Sequence, residues 1–133
     1  MTDAEIDREY DRAVTEMEKK VEAACMAAGH KSVLVDYSAY DCDENDIPID
    51  NLDEVAVTGT VVFVGEKDEF WGGEKSKSYR SEPLVNPTWL QACVCANAMI
   101  RCTRDTHHCF FESVHHKSTE PDGTLVYELD MGS

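Results

Sequence analysis

In the first thirty residues, apolar side chains recur at intervals of four and three: Tyr10, Val14, Met17, Val21, Ala24 and Ala28, with Ile6, Ala13 and Cys25 alongside. This is the period of one helix face, held for nearly four heptads. Thr2 followed by Glu5 makes a capping box at its start, and Gly29 is placed to end it. Asp3, Glu5 and Asp7 early, and Lys19 and Lys20 late, complement the helix dipole. At 1.5 Å per residue such a helix is about 39 Å long, so it either crosses a whole sheet or extends beyond its own core.

The period then drops to two. Residues 32–40 read as a strand with Val33, Val35 and Tyr37 on one face, and residues 55–64 as a central strand, apolar on both faces at its end. Between them Asp41 to Asp53, with Pro48 and many turn formers, reads as a loop, and Trp71-Gly72-Gly73 marks a turn. Residues 76–84 make a weaker, polar edge strand. Thr88 and Gln91 form a second capping box, opening a helix over Trp89 to Thr103 that is apolar around much of its circumference and hence the more buried of the two.

The last third predicts a hairpin. Residues 107–117 and 124–131 flank Glu120-Pro121-Asp122-Gly123, which fits a type I turn closed by a left-handed glycine. That register pairs Lys117 with Tyr127 and His115 with Leu129, and sets His116 opposite Glu128. Cys109, Phe111, Leu125, Tyr127, Leu129 and Met131 then form the core face, and His108, Glu112, His116, Glu128 and Asp130 the wet one. The order α-β-β-β-α-β-β predicts a single α+β domain over residues 1–133: an antiparallel sheet of about five strands with two helices packed on one face.

Charge changes the picture most. Twenty-seven acids against twelve bases give a net charge of −15. A field of that sign repels phosphate, so nucleic acid and anionic membranes are not expected partners, while basic proteins and cations are. Nine acids fall between Lys31 and Lys67, a stretch with no basic residue. There is no apolar run of the roughly 20 residues that span a bilayer, and the first ten residues do not read as a signal peptide. The expected location is the cytoplasm, with the six cysteines as reduced thiols, four of them as small buried hydrophobes.

Three groupings could carry chemistry. Histidines crowd residues 107–116, and the expected pairing of His116 with Glu128 offers a divalent-metal or acid/base unit. In the acidic loop, Asp41, Asp43 and Asn45 resemble the opening of a calcium loop. The match fails where Asp46 replaces the sixth-position glycine and Leu52 the final glutamate. The acids Asp41, Asp43, Glu44 and Asp46 remain a surface for a basic partner, and Phe70 and Trp71 at the turn are aromatic anchors for one. There is no nucleophile elbow, phosphate loop or dinucleotide fingerprint, so no catalytic residue and no cofactor is expected.

The leading expectation is a non-enzymatic, homodimeric interaction domain, chaperone- or adaptor-like, that binds a basic or partly unfolded protein partner. The element order and acidity resemble those of the small chaperones that serve bacterial type III secretion effectors, although no clear third helix follows the last strand. Two alternatives stand beside it. One is a small-molecule-binding or enzymatic domain with a pocket between sheet and second helix, faced by His107, Cys109 and Tyr127. The other is a metal-binding domain using His116 and Glu128.

Overall fold

The Thr2 hydroxyl accepts from the Glu5 backbone N–H and starts α1, Asp3–Ala27. At its other end Gly29 takes a φ of +85°. The N–H of Gly29 reaches the Met26 carbonyl and that of His30 the Cys25 carbonyl, closing the last turn. The chain, described over residues 1–133 by a computed structural model, continues through β1 (Asp36–Tyr37), β2 (Asp41–Cys42), β3 (Pro48–Ile49), β4 (Thr60–Gly65), α2 (Glu69–Gly72), β5 (Tyr79–Arg80) and β6 (Leu84–Val85). It ends with α3 (Trp89–Thr103), β7 (Phe110–Thr119) and β8 (Leu125–Gly132). The Thr88–Gln91 capping box is complete, each side chain bonding the other's backbone N–H.

The fold is α+β, but its sheet is mixed. Strand order is β1-β7-β8-β4-β5, with β6 beside β5 on the outer edge of β4. β1 runs parallel to β7 and β4 parallel to β8, while β7–β8, β4–β5 and β4–β6 are antiparallel. The expectation of a purely antiparallel sheet and two helices is therefore corrected: β4 enters beside β8 in the same direction, and a third, one-turn helix follows it. One apolar core joins Met17, Val21 and Cys25 of α1 and Ala92, Cys93, Ala96 and Ile100 of α3 to Val61, Phe63, Phe111 and Leu129 of the sheet. Each large apolar side chain so buried contributes about 1.5–3 kcal/mol.

Three expected strands are shorter than the pattern suggested, each for a local reason. The backbone N–H groups of Leu34 and Val35 donate to the Asn97 side-chain oxygen at 2.7 and 3.2 Å, so residues 32–35 bond a helix side chain instead of a strand. Residues 55–59 stay outside β4, because Gly59 has a φ of +117° and its N–H goes to the Asn86 side chain. The 76–84 strand breaks into β5 and β6 around Pro83, which has no N–H to give. Ser81 bridges the gap through its own N–H and hydroxyl, both on Phe63.

The hairpin turn forms as read, with the Glu120 N–H on the Thr124 carbonyl. Further along, β7 carries irregularities between His116 and Ser118 and between Phe111 and Ser113. Each inserts one residue, and one residue of slip moves every later side chain to the opposite face. The pairing of His116 with Glu128 is thus corrected. His116 faces Tyr127, its ring 5.4 Å from the tyrosine ring, and His115 faces Glu128.

Candidate functional site

Beyond Gly65 the chain peels away from β8. A side chain at Gly65 would meet the Met99 side chain of α3 and have to displace it. The next backbone donors, Lys67 and Asp68, go to the hydroxyls of Ser78 and Ser76 rather than to β8. Asp68 then caps α2, accepting from the N–H groups of Phe70 and Trp71. Gly72 lies so close to the end of α3 that a Cβ would sit 1.8 Å from the Thr103 carbonyl oxygen. That contact holds the aromatic pair at a fixed place: Phe70 is 84% exposed, and Trp71 stacks on His107 at 4.4 Å and His108 at 5.5 Å.

The departure of β4 opens a cleft of about 320 Å³ between the end of β8, the last turns of α3 and the start of α2. Five carboxylates line it, Glu66, Asp68, Asp105, Glu128 and Asp130, and no lysine or arginine does. Met99, Ile100, Leu129 and Met131 supply an apolar wall. Several of the acids are already held. Lys117 reaches Glu66 at 2.9 Å, a bond that pulls the Glu66 carboxyl below and the Lys117 ammonium above their usual ranges. Asp130 binds His115 at 2.6 Å and Ser113 at 2.8 Å. Asp105 takes the His107 N–H at 3.0 Å and the His108 Nδ1 at 2.6 Å. One ammonium against five carboxylates leaves the cleft strongly negative.

The expected ligand-binding trio does not gather. His107 lies against Trp71, and Cys109 bonds the Thr106 carbonyl at 3.2 Å. Tyr127 sits opposite His116, five residues back along β8 from the end that meets Phe110, or about 16 Å. No three histidine, cysteine, aspartate or glutamate side chains converge as metal ligands, the His115–Glu128–Asp130 group included. Asp41 stands in the exposed β2–β3 hairpin, Glu44 and Asp46 in its turn. The Asp43 carboxylate is turned inward on the N–H groups of Asn45 and Ile47. None of these four lines the cleft. Only Phe70 and Trp71, of the partner-binding residues read from the sequence, border it through Asp68. Two smaller depressions, of about 240 and 160 Å³, follow α1 past β1 and share Glu18, Asp36 and Tyr37.

Sequence reasoning missed Glu66, Asp68 and Asp105 as site residues. The usable signals were Asp68 two residues before Phe70, a capping position, and Asp105 two residues before His107, an Asx turn. Comparison with protein-family models, with curated proteins and with solved structures finds no match. No helix is long and apolar enough to cross a membrane.

Proposed function

We propose that the chain is a non-enzymatic protein-interaction domain that captures a basic or partly unfolded segment of a protein partner. The observation that carries this reading is the Phe70–Trp71 tip. A large apolar side chain left almost wholly in water, on a turn fixed by its cap and its glycine contact, costs solubility unless something covers it. Beside it lies an acidic cleft with no cation of its own on the lining, so the partner that fits both brings aromatic or aliphatic contact and positive charge. Basic character in the partner also suits the overall charge, which steers cations inward from a distance.

The test uses a fluorescent, N-acetylated seven-residue peptide of alternating lysine and valine, titrated in an anisotropy assay. Binding weakens at least tenfold in Phe70→Ala/Trp71→Ala and in Glu128→Gln/Asp130→Asn. Equal binding of a glutamate-valine peptide, or no effect of either double variant, overturns the reading.

A second reading rests on His108. Its Nδ1 is held by Asp105 at 2.6 Å inside the cleft, an arrangement that fixes the ring and leaves the other nitrogen to a ligand. It would serve a small organic cation. Spermidine then raises the melting temperature of the wild type and not of His108→Ala; no shift in either sinks it.

A further inference from the structure

β8 is longer than the strand beside it. β4 pairs with it from Val61–Leu125 to Val64–Glu128 and stops, while β8 continues to Gly132 with β7 on its other side. Beyond the Val64–Glu128 pair the edge that β4 leaves has no strand on it, and the backbone groups that face it, the Leu129 carbonyl and the Met131 N–H and carbonyl, bond no loop or side chain there. An unpaired strand edge is a template for another strand, and proteins that keep one open normally blunt or cover it. Here the cleft keeps it open, and lysine, the usual guard of such an edge, is missing from the lining.

We infer that the partner segment binds in extended form, adding to Leu129–Gly132 as a strand in the place that β4 vacates. This rests on the interaction reading above and specifies how the segment binds. Four residues of strand span about 13 Å. Alternate side chains of an added strand point to opposite faces of the sheet. One set meets Met99, Ile100 and Met131 on the helix side, and the other meets Glu66, Glu128 and Asp130 on the open side. The partner is therefore a segment alternating apolar and basic residues. Main-chain hydrogen bonds supply affinity, and the two faces of the cleft supply the preference for that alternation.

Two versions of the lysine-valine peptide separate the possibilities, one N-methylated at its odd amides and one at its even amides. A strand presents only one of these sets to β8. One version loses affinity at least tenfold and the other binds within about twofold of the parent, while a peptide of the same composition with lysines and valines in separate blocks binds at least tenfold more weakly. Amide exchange of Met131, whose N–H faces the vacated edge, slows in the complex. If the parent peptide binds but both methylated versions behave alike, strand addition is wrong and the interaction reading stands. If the parent peptide does not bind, both fall.

Discussion

Asn97 is fully buried on α3, yet all of its polar capacity is used. Its oxygen accepts from Leu34 and Val35, and its amide donates to the Ser32 carbonyl at 3.0 Å and to His30 Nδ1 at 2.8 Å. One side chain thereby anchors the whole descent from α1 to β1. Replacing it with leucine keeps the branching at Cγ and strands two backbone donors, each costing about 1–3 kcal/mol. Asn97→Leu is expected to lose about 3 kcal/mol in urea denaturation; a loss below about 1 kcal/mol would show that the segment finds other partners. The same network sets the protonation state of His30. Accepting from Asn97 requires an unprotonated Nδ1, and burial, helped by the Arg101 charge, pushes the imidazole below the usual histidine range. Because the folded state binds this proton less readily than the unfolded chain, its contribution is complete above the unfolded pKa of about 6.5. It is lost as pH falls through the lower, folded value. His30→Gln can still accept from Asn97 and does not titrate, so between pH 7.5 and 5 its melting temperature should fall less than that of the wild type. Parallel curves would exclude His30 as the titrating group.

Elements were legible where one period ran long enough. α1 and α3, with their caps, follow from apolar spacing and from Thr2, Gly29, Thr88 and Gln91. The turn at Glu120–Gly123 follows from its residue types. Two strands failed where a distant side chain took over the backbone: Asn97 for residues 32–35 and Asn86 at Gly59. No local pattern announces such a substitution, because the competing group lies far along the chain. The hairpin register failed for a different reason, since a bulge leaves alternation intact on either side of it. The candidate site shows the same division. Phe70 and Trp71 stood out as a turn with two aromatics, whereas the acids beside them come from three separate segments and meet only in the fold. Gly72 joins the two halves of that site. Its contact with the Thr103 carbonyl is with backbone, which cannot swing aside. Gly72→Ala is expected to cost about 1–3 kcal/mol. It should also shift tryptophan emission to the red as Trp71 leaves His107 and His108. An unchanged spectrum would mean that the tip is held by something other than this close approach.

On the scale of the whole molecule, attraction between charges is outweighed by repulsion. The ion pairs of Lys20 with Asp50 and Asp53 and of Arg80 with Glu120 lie at the surface, where each is worth about 0–1 kcal/mol, and the pair of Lys117 with Glu66 is as exposed. Even if every base were paired, fifteen acids would remain without one. At 10 mM salt the screening length is about 30 Å, comparable to the molecule, and at 150 mM it is about 8 Å. Raising salt over that range therefore removes repulsion among most of the acids while weakening only a few exposed pairs. The melting temperature should rise with sodium chloride and level off near physiological strength. A fall would show that the surface pairs dominate. The same field acts in the opposite sense on a basic peptide, whose attraction to the cleft is screened along with the repulsion. Its association rate should drop over the very interval in which the protein becomes more stable. If the rate does not fall with salt, the charge of this chain serves its solubility alone, and the cleft draws its partner by the apolar wall and the aromatic tip.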